Sequence, residues 1–388
     1  HADGTFRTFD GPEPWGDRGR FDCVRENRRR ATVPPVHARP VLRLGPFELV
    51  RRVRRGSVGE VWAADHLADG QPDLRVAVKL FASAASADGA TWAAFERELH
   101  AIAALHHPRI VRIDGHGRVT ADEARMSQGF LPEDAPYLVM EYAPGGTLVD
   151  LLGHIDWTTQ RRMLLGLLDA LAHAHARGLL HQDIKPSNIL LVDGEPKLAD
   201  FGIARRLERA PGPDREDFVL GTPGYMAPEQ IRAEFRDLAP RTDLFAVGVV
   251  AHALATGSMP FPRGSSPIET MRAQLDHPPH ELRPARAVPP GLQEWILRLL
   301  DHSASPRFEL AADAAHALKL LDRDQELHGV RRSPLASRAP FAAPRKDHGA
   351  GPDEPTWREQ PVLDLPSAER ADTAAAGAPP LPREWRPD

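Results

Sequence analysis

Four short motifs follow one another between His181 and Glu229, and their order leaves few folds open to this chain. They are His181-Gln182-Asp183-Ile184-Lys185-Pro186-Ser187-Asn188, Asp200-Phe201-Gly202, Gly221-Thr222-Pro223 and Ala227-Pro228-Glu229. The first sets a carboxylate five residues ahead of an Asn, and the second sets another carboxylate beside a Gly. Phosphoryl transfer from a metal nucleotide needs that inventory. A base must orient the acceptor hydroxyl, and oxygen ligands must hold magnesium against the phosphates. Each motif alone is weak; four in order within about fifty residues are not.

Composition narrows the rest. At 388 residues the chain has length to spare beyond one large domain, and 41% hydrophobic residues suffice for a sizeable core. A net charge of −5 makes no case for nucleic acid as a partner. Cys23 is the single cysteine, so no internal disulfide can form, and its polar surroundings read as an ordinary exposed thiol. No apolar run reaches the ~20 residues of a membrane-spanning helix. The longest, Leu244 to Ala255, reads as a buried helix. No basic-then-apolar leader opens the chain, and the expected location is cytoplasmic.

The stretch from about Gly45 to about Leu321 resembles the eukaryotic-type protein kinases, most of all the serine/threonine members of the bacterial branch. The resemblance implies an α+β bilobal protein-kinase fold over residues 45–322. A small sheet-rich N-lobe would occupy about 45–143, and a larger, mainly helical C-lobe about 144–322. The pattern of residues agrees. Phe47–Val50, Glu60–Ala64, Val76–Leu80 and Tyr137–Tyr142 read as strands. Residues 91–105 read as a helix with Phe95, Leu99, Ile102 and Leu105 on one face. Helices are expected over Arg161–Arg177, Leu244–Thr256 and Gly291–Leu300. Residues 1–44, with the basic run Arg28–Arg30, and 323–388, rich in Pro and Ala, are expected to be disordered. A docking role for the tail through Trp357 and Trp385 is the functional alternative there.

The resemblance assigns roles residue by residue. Lys79, an ammonium among apolar neighbours, requires a partner. Glu98 is expected to supply it, and the pair would hold the α- and β-phosphates of ATP. Asp183 is the expected base, and Lys185 would offset charge on the γ-phosphate. Asn188 and Asp200 are the expected ligands for Mg2+ or Mn2+. Val53, Gly56, Gly59, Val61, Ala77, Met140, Glu141, Ala143 and Leu190 complete the implied ATP site. Thr222 would bond around Asp183 and Lys185, Glu229 would pair with Arg307, and Asp243 would brace the backbone of the catalytic loop. His173 and His175 are too closely spaced to share a helix face as a metal pair.

Two departures from the family stand out. The first glycine of the phosphate-loop pattern is Arg54, which stiffens the loop, brings a cation near the nucleotide and is expected to weaken ATP affinity without abolishing it. Gln182 stands where most relatives carry an Arg that reads a phosphate. Between Ile203 and Gly221 there is no Ser, Thr or Tyr, and Asp214 and Glu216 fall where relatives carry threonines. The leading expectation is a serine/threonine kinase that acts on protein substrates without phosphorylation of that segment. A nucleotide-binding pseudokinase, a scaffold and a small-molecule kinase are the rivals.

Overall fold

The computed structural model describes residues 7–8, 42–56, 59–81, 89–201 and 221–327. Cys23, Arg28–Arg30, Asp214, Glu216 and the Pro-rich tail lie outside the described residues.

Seven strands form one sheet: β1 (Arg7–Thr8), β2 (Leu42–Leu44), β3 (Phe47–Arg55), β4 (Glu60–Ala68), β5 (Gln71–Leu80), β6 (Ile113–Arg118) and β7 (Pro136–Glu141). Their order is β1-β6-β7-β5-β4-β3-β2, antiparallel throughout apart from the parallel β1–β6 pair. Alternation drives burial. In β3, Phe47 and Leu49 are buried, and they share a core with Ala64, Val76, Val78, Leu80, Tyr137 and Val139. Helix α1 (Gly89–Ala103) adds buried Leu99 and Ile102.

β2 lies in a segment expected to be disordered. Leu42 and Leu44 are buried while Arg43 is exposed, a two-residue period that marks a strand despite its polar surroundings. The sheet thus takes in both Arg7–Thr8 and Leu42–Leu44 from the segment expected to be disordered, ahead of the boundary expected at 45. Helix α2 (Ala121–Met126) also went unread, although Thr120 and Glu123 have capping-box spacing. Both halves of that box form: the Thr120 hydroxyl accepts from the Glu123 amide, and Glu123 accepts from the Thr120 amide at 2.7 Å.

After β7 the chain crosses to helices. In α3 (Trp157–His175), Met163, Leu164, Leu167, Leu168 and Leu171 recur at helical spacing and are buried. Asp156 caps its start by accepting from the Thr159 amide at 2.8 Å. Between α3 and the next helices lies the hairpin β8 (Ile189–Val192) and β9 (Glu195–Leu198). The short helix α4 (Pro228–Ile231) then leads to α5 (Pro240–Thr256), in which every residue from Thr242 to Ala255 is buried. The apolar run Leu244–Ala255 is thus the centre of the C-lobe. Pro240 opens α5, and Gly257 ends it at a φ of 74°, which a side chain would strain. Helices α6 (Pro267–Asp276), α7 (Leu292–Leu299) and α8 (Ala311–Leu327) complete the lobe, the last running past the boundary expected at 322. Among the described residues no helix is long and apolar enough to cross a membrane.

Candidate active site

The motifs of the catalytic loop converge because one buried carboxylate organises its backbone. Asp243, on α5, accepts from the His181 amide at 2.8 Å and the Gln182 amide at 2.7 Å. It also accepts from His175 Nε2 at 2.8 Å. Burial pushes this carboxyl up, but the His175 hydrogen bond and the bond from the His181 amide outweigh burial and hold it below its usual range. His175 therefore serves Asp243, while His173 stacks against His107 with ring centroids 4.8 Å apart. The role of His175 was invisible in the sequence because its partner lies 68 residues away.

His181 joins this loop to the strand that carries the second carboxylate. Its Nδ1 accepts from the Asp183 amide at 3.2 Å, and its Nε2 donates to the Ala199 carbonyl at 2.9 Å. Both bonds require a neutral ring with its proton on Nε2, and burial lowers the His181 pKa in the same sense. The Ala199 amide returns a bond to the Asn188 carbonyl at 2.9 Å. Asp200 is thereby pinned beside the catalytic loop, at a φ of 61°.

Asp183 is held by Thr222, Lys185 and Asn188. Oδ1 accepts from the Thr222 hydroxyl at 2.7 Å, and Oδ2 lies 3.2 Å from Lys185 Nζ. Lys185 also donates to Thr222 Oγ1 at 2.8 Å, which fixes the hydroxyl proton toward Asp183. Asn188 Nδ2 donates to the Asp183 carbonyl at 2.9 Å and to Oδ2 at 3.2 Å. With its amide nitrogen committed, Asn188 has its carbonyl oxygen left to offer a cation.

Lys79 does not pair with Glu98. Its ammonium lies 2.7 Å from Asp200 Oδ1, and both side chains are largely buried. On β5, Lys79 lies opposite Val61 and Leu138, and Asp200 follows two residues after the end of β9. A buried ammonium takes the carboxylate it can reach. Glu98 sits half-buried on α1. Burial raises the Asp200 pKa, yet the charge and hydrogen bond of Lys79, with Arg54 adding to them, hold it below the usual carboxylate range. An ionised Asp200 and the Asn188 oxygen are hard donors and fit magnesium, which takes few protein ligands and fills its shell with water and phosphate oxygens. Among the described residues no cluster of three His, Cys, Asp or Glu could hold a metal.

The other residues expected at the nucleotide site lie on the seven-stranded sheet and its β3–β4 connection, in the lobe connection and on β8. Val53 on β3 is exposed, Val61 on β4 faces Arg54 across the sheet, and Ala77 on β5 pairs with Met140 on β7. Met140 also lines a small apolar recess with Ile102, Leu198 and Phe201 behind Asp200. Glu141 accepts from Lys197 Nζ at 2.5 Å, Ala143 follows in the lobe connection, and Leu190 bridges to Thr147. The Gly56 amide bonds to the Gly59 carbonyl at 2.9 Å, closing the loop. At Gly59 a Cβ would overlap the carbonyl oxygen of Leu80, so strand packing alone demands glycine there. Away from the cleft, Arg307 donates to both Glu229 oxygens, at 2.9 and 3.0 Å, in a buried bidentate pair.

Comparison with known proteins places this geometry. The protein kinase domain family matches residues 47–318, so the chain belongs to the protein kinase family. It is 35% identical over 253 residues to a probable serine/threonine-protein kinase PknB of Bifidobacterium longum, covering 64% of this chain and 35% of that protein. It is 33% identical over 332 residues to the serine/threonine-protein kinase Pkn1 of Myxococcus xanthus, covering 83% and 45%. It is 32% identical over 301 residues to the serine/threonine-protein kinase PknA of Mycobacterium tuberculosis, covering 76% and 64%. The chain thus spans between about a third and under two thirds of the length of these relatives. A crystal structure of the M. tuberculosis PknI kinase domain shares the fold, with a TM-score of 0.53 and 24% identity over 74% of this chain and all of that one.

Proposed function

We propose that this chain is a serine/threonine protein kinase that transfers the γ-phosphate of ATP to Ser or Thr hydroxyls of protein substrates. One observation carries the reading: Asp183, held by Thr222, Lys185 and Asn188, shares a cleft with an ionised Asp200 and a buried Lys79. The acceptor hydroxyl hydrogen-bonds to the Asp183 carboxylate, which orients it and takes its proton as its oxygen bonds to the γ-phosphorus, while the bond from that phosphorus to the bridging oxygen breaks and ADP leaves. Lys185, bonded to Thr222, stands on the same side as Asp183 and offsets charge developing on the transferred group. Lys79 binds phosphate oxygens once a nucleotide competes for it against Asp200. Asn188 and Asp200 would hold Mg2+ or Mn2+, which would supply positive charge to offset that of the phosphates. Gly-Thr-Pro-Gly-Tyr from Gly221 to Tyr225 serves as the platform for a substrate peptide.

Incubation with labelled ATP, magnesium and a generic basic protein tests the reading, with Asp183→Asn as the control for contaminating kinases. Label is expected on the substrate, and self-labelling first at Ser333, Ser337, Thr356, Ser367 and Thr373. Nucleotide binding without any transfer would leave the pseudokinase reading standing.

The activation segment is the second part of the proposal: it works without phosphorylation. Gln182 carries no charge to read a phosphate, and its carbonyl accepts from Gln230 Nε2 at 3.0 Å. Carboxylates at Asp214 and Glu216 then take the place of phosphate in holding the segment. Asp214→Ala/Glu216→Ala is expected to lower turnover several-fold at saturating ATP, and unchanged turnover would sink the idea.

A further inference from the structure

Gln230, buried on α4, bonds in two directions. Its Oε1 accepts from the Ala227 amide at 2.9 Å, the bond that a third helical residue makes to its own N-cap. Capping needs no more than that. The other end leaves the helix, and Nε2 donates to the Gln182 carbonyl at 3.0 Å, 48 residues away. A backbone N–H can only donate and a carbonyl only accept, so the two partners fix which end of the amide is which. The carbonyl that Gln230 holds belongs to the peptide bond leading into Asp183. Gln182 itself stands at a φ of 63°, where a side chain makes the backbone costly to hold. Asp243 takes its amide at 2.7 Å and Gln230 its carbonyl, so the strained residue is gripped on both sides. Beside Ala227, the Met226 carbonyl accepts from Nε2 of the buried Gln274 on α6 at 2.5 Å.

We propose, resting on the kinase reading above, that Gln230 is a positioning residue that couples the platform for a substrate peptide to the general base. The platform already meets Asp183 near its start, through the Thr222 hydroxyl. Gln230 ties its far end to the backbone that carries Asp183. Held at both ends, the platform keeps the hydroxyl of a bound peptide in register with the base. Both Gln230 bonds join neutral groups, so this tie requires no phosphate on the activation segment. The role also explains the residue type. An amide offers an acceptor and a donor at once. A glutamate would still accept from Ala227, but as a carboxylate it would set a negative oxygen against the Gln182 carbonyl. Protonated, it would regain the donor.

The test is steady-state phosphorylation of a basic protein by the full chain, by Gln230→Met and by Gln230→Glu across the neutral pH range, with calorimetric ATP binding alongside. Gln230→Met keeps the volume and removes both bonds. Its turnover at saturating ATP should fall about tenfold, with ATP affinity unchanged. Gln230→Glu serves if the methionine variant fails to fold. It should approach the unmodified protein at low pH, where its carboxyl is neutral, and fall away as pH rises through a pKa that burial has raised. A residue that only capped α4 would show no such fall, because a carboxylate suits a helix N-terminus at least as well as an amide. A ratio of Gln230→Glu to unmodified turnover that stays constant with pH would overturn the proposal. So would ATP affinity that falls in step with turnover. Absence of transfer by the unmodified protein would instead bring down the kinase reading, before any variant is compared.

Discussion

Asp183→Asn is expected to cut phosphoryl transfer by roughly 10²–10⁴-fold, the usual worth of a positioned general base, while leaving Mg–ATP binding nearly intact. Thr222 can still bond to an amide oxygen in the place of Oδ1, and Asp243 still holds the backbone at His181 and Gln182, so the loop keeps its shape. What disappears is the second anionic oxygen and the ability to accept a proton. Single-turnover measurement with labelled ATP gives the rate, and titration with nucleotide gives the affinity. A loss of affinity as large as the loss of rate would mean that Asp183 binds the nucleotide and does not orient the acceptor.

The largest expected effect on stability comes from Arg307→Ala. Arg307 is fully buried, Glu229 is 5% exposed, and Thr242 adds a third bond to the carboxylate at 2.9 Å. Removing the guanidinium leaves a buried carboxylate without its counter-charge, at a cost of about 3–5 kcal/mol. For a domain of this size that corresponds to a fall in Tm on the order of 10 °C. Arg307→Met/Glu229→Gln should restore part of the loss, since no buried charge remains. The pair also makes stability depend on pH. Burial raises the Glu229 pKa, but Arg307 outweighs it, and the folded value lies below the unfolded one. Its contribution is complete above the ordinary carboxylate range, near pH 4.3, and is lost as pH falls through the lower folded value. Denaturant unfolding should show a constant advantage over Arg307→Ala near neutrality that shrinks in acid.

Most of the catalytic loop was legible in sequence because its chemistry is local. Asp183, Lys185 and Asn188 lie within six residues, and any fold that presents this loop must present them together. Glu229–Arg307 and the bracing by Asp243 followed from the family resemblance, and the structure supplies their atoms. What the chain concealed were choices between distant partners. Lys79 had two carboxylates to choose from, and the structure pairs it with the one 121 positions away. Arg54 reads as a missing glycine until its side chain is seen 133 residues off, on Ser187. β2 and α2 were overlooked for a different reason. Both are short, and their signals, an alternation of Leu-Arg-Leu and a Thr-x-x-Glu cap, are easily lost among polar neighbours.

Asp243 has one further consequence. It stands in a helix buried at every residue from Thr242 to Ala255, and it grips the main chain of the catalytic loop at two successive amides. Those protons cannot reach solvent unless the C-lobe itself comes apart. In hydrogen exchange, His181 and Gln182 should therefore report the slowest, global opening, although they belong to a loop. The most reactive stretch of this protein would then be among its least yielding.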